Sequence, residues 1–154
     1  MSEPRLRSWK RRLSRASERR IINPLVRRLV FRGRLASTYA VLETTGRRSG
    51  ARRLTPVANG LRADAFWLIS AHGHHAHYVH NLIADPHVRV GVADSGRLQW
   101  RAGLARPLWD DDARARQREL GRGRVGYRVD GVLLRFLATD MTTIRIDLNG
   151  AESL

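Results

Sequence analysis

The 154-residue chain contains no cysteine. That excludes a disulfide scaffold, a cysteine-ligated zinc or iron–sulfur centre and a thiol nucleophile. No run of apolar residues reaches the length of a membrane span, so the sequence predicts no transmembrane helix. The N-terminus lacks the apolar segment of a secretory signal, and the expected location is the cytoplasm. Several catalytic signatures are also missing. There is no Lys-Ser/Thr phosphate loop, no His-Glu-x-x-His pair and no Gly-x-Ser-x-Gly elbow. Gly121-Arg122-Gly123 is a loop signal and not a dinucleotide fingerprint. No internal repeat is visible. What is present is 42 % hydrophobic residues, ordinary for a globular chain and enough for one cored domain with an appendage.

Lysine is nearly absent too, since Lys10 is the single one among 29 basic residues. The net charge is +15, and its distribution is uneven. Residues 1–35 carry twelve basic and two acidic side chains. Residues 46–62 carry five arginines (Arg47, Arg48, Arg52, Arg53 and Arg62) and no acid. The remainder balances at twelve of each sign. The charge is therefore two local features on a neutral body, which argues against a protein that coats nucleic acid.

The first feature has helical spacing. Leu6, Trp9, Leu13 and Ala16 fall on one face, with arginines on the others. A basic amphipathic helix of this kind adsorbs to anionic lipid, with Trp9 at the interface. The alternative is a solvated arm that docks its few apolar residues on the body. Asn23-Pro24 predicts a second helix start, followed by the stripe Leu25, Val26, Leu29 and Val30 and a stop at Gly33. The arm is expected over residues 1–35 and the domain over 36–150.

From Thr38 the pattern becomes that of strands. Thr38–Thr45, Arg52–Ala58, Ala65–Ser70, His87–Ala93, Leu98–Arg106 and Met141–Leu148 are six expected strands. Ala65–Ser70 is apolar enough to predict a strand buried on both faces. His77–Ala84 predicts a helix ended by Asp85-Pro86, and Asp110-Asp111-Asp112 caps another running to Leu120. Arg128–Ala138 reads equally as helix or strand. The fold class is α+β, mainly β, a small antiparallel split barrel with N-terminal helices and short flanking helices.

The strongest chemical signal is Gly46-Arg47-Arg48-Ser49-Gly50-Ala51-Arg52-Arg53, between two strands. Glycines permit a tight turn and close approach of a ligand. Backbone amides, the Ser49 hydroxyl and the guanidinium groups suit phosphate or carboxylate. The alternative is an exposed basic turn. All six histidines lie between positions 72 and 87: His72, His74, His75, His77, His80 and His87. Their spacing fits no standard zinc motif, so hydrogen bonding to a ligand or plain solvent exposure is favoured over metal.

Leu42-Glu43-Thr44-Thr45-Gly46-Arg47-Arg48-Ser49-Gly50 followed by Arg53-Leu54-Thr55-Pro56-Val57 resembles the deazaflavin-dependent nitroreductase and quinone reductase family, whose mark is a Thr-Gly-Arg-Lys/Arg-Ser-Gly turn and then Arg-x-x-Pro. Tyr78-Val79-His80-Asn81-Leu82-Ile83-Ala84-Asp85-Pro86-His87-Val88 is similar to its Tyr-x-x-Asn-Leu-x-Ala-x-Pro-x-Val segment. The resemblance covers residues 36–92 well. It implies a split β-barrel related to pyridoxamine-phosphate-oxidase-like proteins and a bound coenzyme F420, an 8-hydroxy-5-deazaflavin with a phosphate and polyglutamate tail. FMN is the lesser alternative, since related barrels use it.

By the same resemblance, Arg48 and Arg53 fall on the basic positions that hold the phosphate, with Ser49 and Gly50 beside them, and Arg47 is counted with the coenzyme-binding residues. Leu54, Thr55 and Pro56 fall on the strand that lies against the coenzyme. Ala71, His72 and Gly73 match a segment near the ring, with Ala71 in place of a hydroxyl residue and His72 in place of a lysine. Asn81 belongs to the second motif. The family's tyrosine-rich C-terminal substrate segment is not visible in the sequence, and Tyr127 alone is a candidate for it. Tyr78, His72 and His80 are the candidate proton donors.

The implied function is hydride transfer from reduced F420 to a quinone, a nitroaromatic or another lipophilic acceptor. The rival readings are a non-catalytic carrier of F420, FMN, haem or lipid, and a basic adaptor that uses the arm alone. The expected partners are the coenzyme, a small lipophilic acceptor, an anionic surface on the inner face of the cell membrane through residues 1–20, and a second copy of the chain. No metal and no nucleic acid is expected.

Overall fold

The computed structural model describes residues 38–95, 97–123, 138 and 140–149. The two N-terminal helices, Tyr127 and nearly all of the ambiguous Arg128–Ala138 segment lie outside these residues. The elements run β1 (Tyr39–Thr45), β2 (Arg52–Ala58), β3 (Leu61–Arg62), β4 (Ala65–Ser70), a 3-10 turn (Gly73–His75), α1 (His77–Ala84), β5 (His87–Asp94), β6 (Arg97–Leu108), α2 (Ala113–Leu120) and β7 (Thr142–Leu148). The strands form one antiparallel sheet in the order β2-β1-β5-β6-β7-β4-β3, curled into a half-barrel.

The curl has a local cause in β6. Its first part pairs with β5 through Arg97–Leu104, and its second part pairs with β7 through Gly103–Leu108. A twelve-residue strand that changes partner along its length turns the sheet over on itself. The residues facing inward form the core: Ala40 and Leu42 of β1, Phe66 and Leu68 of β4, Val88 and Val90 of β5, and Ile144, Ile146 and Leu148 of β7. Val79 and Leu82 bring α1 against them. Full burial of one such side chain contributes about 1.5–3 kcal/mol.

The expected strand at Ala65–Ser70 is present, but its expected burial on both faces is not. Phe66, Leu68 and Ser70 are buried, whereas Ala65, Trp67 and Ile69 are half-buried. Guanidinium groups lie over the Trp67 ring, Arg116 at 4.5 Å and Arg145 at 5.3 Å from its centroid. Cations lying over an aromatic ring cover an apolar surface and keep their own charge hydrated, so no second apolar layer is needed. The structure also adds β3, a two-residue strand too short to carry a periodic signal.

The passage from β2 to β4 is tight. Asn59 N–H donates to the Thr38 carbonyl at 2.8 Å, and Trp67 N–H donates to the Gly60 carbonyl at 3.0 Å. A Cβ on Gly60 would collide with the Trp67 carbonyl. Glycine is required there because two backbones approach in direct contact.

Candidate functional site

The Gly46–Gly50 turn is closed by its own backbone. Gly46 N–H donates to Ala51 O and Gly50 N–H to Gly46 O, each at 2.7 Å. Gly50 has φ +67°, a left-handed conformation that favours glycine. Ser49 Oγ accepts from Ala51 N–H at 3.2 Å. The five arginines then separate by partner. Arg47 bonds to Asn81, Arg52 pairs with Glu43 at 3.8 Å, and Arg62 donates to the Leu120 carbonyl at 3.0 Å. Arg48 and Arg53 have no ion pair among the described residues. A Cβ on Gly46 would come within 3.4 Å of Arg53 Nε, so the Arg53 side chain folds across the turn. Two unpaired guanidinium groups therefore remain at a closed turn, and their planar donors suit anionic oxygens.

Asn81 fixes this turn to the body. Its Oδ1 accepts from Arg47 N–H at 3.2 Å and from Arg47 Nη1 at 3.3 Å, and its Nδ2 donates to Thr44 Oγ1 at 3.2 Å. Asn81 is 5 % exposed and Thr44 1 %. Both acceptor sites and one N–H of the amide are thus engaged with protein, which makes Asn81 a positioning residue for the turn.

A cavity of about 270 Å³ opens between the two ends of the curled sheet. Pro56, Val57 and Ala58 of β2 form one wall, and Leu68, Ile69 and Ser70 of β4 form the other. Among the described residues β2 is a terminal strand of the sheet, and one edge of it has no strand partner there. β3 covers only Ala65 and Phe66 of β4, so among the described residues the edge of Leu68–Ser70 away from β7 is also without a strand. Two unpaired strand edges facing a cavity present backbone donors and acceptors to whatever enters. Ala71, His72, Ala76 and Tyr78 line the same cavity, and Gln117 reaches it from α2.

The model of the family described as F420H2-dependent quinone reductase matches residues 12–132. The chain belongs to that family. It is an F420-dependent oxidoreductase by this membership. No curated protein matches it by sequence. Among solved structures it is similar to one described as an F420 reductase, with 20 % identity, a TM-score of 0.57, and coverage of 79 % of this chain and 91 % of that one. A protein of the pyridoxine-phosphate oxidase family from Clostridium acetobutylicum gives 17 % identity, a TM-score of 0.54 and coverage of 79 % and 84 %. HutZ, a haem storage protein from Vibrio cholerae, gives 16 %, 0.54, and coverage of 83 % and 90 %. At these identities the structural neighbours show the shared split-barrel fold.

The residues of this reductase that the sequence singles out sort into three places. Arg48, Ser49, Gly50 and Arg53 are at the turn. Pro56, Ala71, His72 and Tyr78 line the cavity. Leu54 packs on the outer face of the sheet with Val41, Leu98 and Trp100, because side chains alternate along β2. Thr55, on the alternate face, is half-buried. Gly73 has φ +48°, and a Cβ there would come within 2.5 Å of Asp140 Oδ2, so it serves the tight packing of the 3-10 turn.

Of the three candidate proton donors, Tyr78 and His72 line the cavity of the reductase and His80 does not. His80 lies exposed on α1, where partial desolvation, Arg47 and the histidines 77, 74 and 75 hold its pKa below the usual value. Burial raises the Tyr78 pKa, partly countered by a hydrogen bond with Ser70, so the phenol stays protonated through neutral pH. His74 lies 3.5 Å from Asp140 and 5.4 Å from the Trp109 ring centroid. Among the described residues no group of three or more His, Asp or Glu side chains is arranged to hold a metal.

Sequence reading missed Gln117. It is 4 % exposed and shares the buried face of α2 with Ala113 and Leu120. The signal was available: an amide stands in the apolar stripe 113, 117, 120. The helix cap at Asp112, whose side chain accepts from Arg114 N–H and Ala115 N–H at 3.1 and 3.0 Å, was legible from the aspartate cluster.

The donor set fits the coenzyme that the family name implies. A cavity with apolar walls, unpaired strand edges and few polar side chains suits a planar ring with polar rims. Two free guanidinium groups at the far end of β2 suit an anionic tail.

Proposed function

We propose that this reductase passes a hydride from reduced F420 to a quinone, with nitroaromatics and other lipophilic acceptors as further substrates. The ring would lie in the cavity between β2 and β4, and the phosphate and glutamate tail would lie on Arg48 and Arg53. The carrying observation is the pair of unpaired strand edges around the cavity, one of which leads straight to those arginines. From Pro56 to Arg53 the strand advances about 10 Å, a reach suited to a ring at one end and a tail at the other. When bound, the coenzyme supplies the hydride; the chain supplies orientation and exclusion of water. Gly46, Gly50 and Asn81 hold the turn, and Arg48 and Arg53 bind the anionic groups. Tyr78 holds a proton at its phenolic oxygen beside the cavity for the reduced acceptor.

The basic arm, residues 1–35, adsorbs to anionic lipid in this reading and brings the domain to lipophilic acceptors. Its support is the separation of twelve basic residues from a neutral body. Among the described residues no helix is long and apolar enough to cross a membrane.

The test is a titration of the full chain with F420, followed by the fluorescence of Trp67 and Trp100. Saturable quenching in the micromolar range is expected, and none at tens of micromolar coenzyme would overturn the reading. Replacing Arg48 and Arg53 together with alanine removes charge-assisted hydrogen bonds worth about 1.5–3 kcal/mol each, so affinity should fall at least about tenfold even with solvent screening. Unchanged affinity would remove the tail assignment. FMN and haem run in parallel; tighter binding of either, without quinone reduction, would replace the enzyme by a carrier.

A further inference from the structure

The polar side chains around the cavity are not equivalent. Ser70 Oγ donates to the Gly73 carbonyl at 3.4 Å, and Ser70 also holds the Tyr78 pKa down against the rise that burial causes. Gln117 is 4 % exposed, lines the same cavity and has no side-chain hydrogen bond with the described residues. Thr143 Oγ1 is the one buried side-chain polar atom without a partner among the described residues, so the Gln117 amide is open to the space of the cavity and can bond to what enters it.

The helix holds Gln117 firmly in that position. Asp112 caps its first turn, and the Arg62 guanidinium donates to the Leu120 carbonyl at its end at 3.0 Å. Arg116, the preceding residue, lies over Trp67 and pairs with Asp111 at 3.0 Å and Glu119 at 2.8 Å. With the helix fixed at both ends, the residue between Ala113 and Leu120 on the buried face has little freedom to turn away. Its carboxamide presents one acceptor and two donors to the cavity.

We propose that Gln117 recognises the imide edge of the ring, the N–H flanked by carbonyl groups at the pyrimidine end of a deazaflavin. The amide and the imide match donor to acceptor and acceptor to donor. A quinone offers acceptors alone and gives the Gln117 oxygen no donor, so the coenzyme ring and not the acceptor is the better complement. Gln117 is then a binding residue that fixes which way round the ring enters the cavity. This inference rests on the reading of the cavity as the F420 site.

The experiment compares wild type, Gln117→Met and Gln117→Asn for binding of F420 and of the same chromophore without its phosphate and glutamate tail, by tryptophan quenching, with thermal melts alongside. Methionine has a similar volume and no hydrogen bonds. Asparagine keeps the amide but falls short by one methylene, and it serves as the second variant if methionine impairs folding. Both should weaken both ligands by about tenfold or more. The melting temperature of Gln117→Met should be unchanged or higher, because no internal bond is lost. Changes at Arg48 and Arg53 should weaken F420 and leave the tail-less chromophore unaffected. Unaltered affinity of the variants for both ligands overturns the inference, as does an effect confined to the KM of the quinone. A lowered melting temperature with unchanged binding would make Gln117 structural and overturn it as well. Absence of F420 binding by wild type is a different result, which removes the functional reading itself.

Discussion

Replacing Asn81 with leucine tests whether the basic turn is held by the protein or by its ligand. The side chain fills the same space, so packing changes little, but three hydrogen bonds disappear. The costs are unequal. Thr44 is 1 % exposed, and its hydroxyl would be left in the core without a partner, at about 1–3 kcal/mol. Arg47 is exposed, so its N–H groups turn to water, and their loss costs about 0.5–1.5 kcal/mol. The sum is about 1.5–4.5 kcal/mol, or a melting temperature lower by about 3–18 °C for a chain of this size. Asn81→Asp separates the causes. A carboxylate still accepts from Arg47, and the Thr44 hydroxyl can rotate to donate to it, so the aspartate variant should melt closer to wild type. Thermal melts by circular dichroism and F420 titrations on the same samples provide the assay. Coenzyme affinity should fall only severalfold in the leucine variant, through a looser turn. A leucine variant with wild-type melting and abolished binding would show that Asn81 touches the ligand, and the positioning argument would fail. Equal destabilisation by aspartate and leucine would refute the hydrogen-bond account.

Gly60→Ala should destabilise by more than about 4 kcal/mol, read by denaturant unfolding, because its methyl group meets the Trp67 backbone; wild-type stability would mean the crossing from β2 to β4 is not as tight as described. Arg116→Met should cost about 0.5–2 kcal/mol at neutral pH from the ring contact with Trp67 alone. Its hydrogen bond also holds the Asp111 pKa down, which adds stability above the unfolded carboxylate pKa and loses it as pH falls through the lower folded value. The gap between variant and wild type should therefore narrow below about pH 4, and a gap independent of pH would refute that coupling. Tyr78→Phe should retain F420 affinity and lower quinone turnover by about a hundredfold; unaltered kcat would end its role as proton donor.

Much of the fold was legible because its signals are local. Arg52–Ala58 and His77–Ala84 lie where turn glycines, alternation and the Asp85-Pro86 stop predict them. The half-burial of β4 was not legible, because the guanidinium groups that cover Trp67 come from residues 116 and 145. Within the turn, sequence marks five arginines as equals. Leaving Arg48 and Arg53 unpaired depends on Asn81, Glu43 and the Leu120 carbonyl occupying the others.

The sequence by itself determined the arginine-rich glycine turn, the strand and helix pattern and the family to which both point, since each rests on residue type at short spacing. Tertiary structure decided where the cavity lies and what faces it. Among the described residues β2 and β4 line one cavity with edges that have no strand partner because the sheet curls through β6, and Gln117 reaches that cavity because α2 is pinned to Trp67 and Arg62. Such relations join residues far apart in the chain, and no local periodicity encodes them.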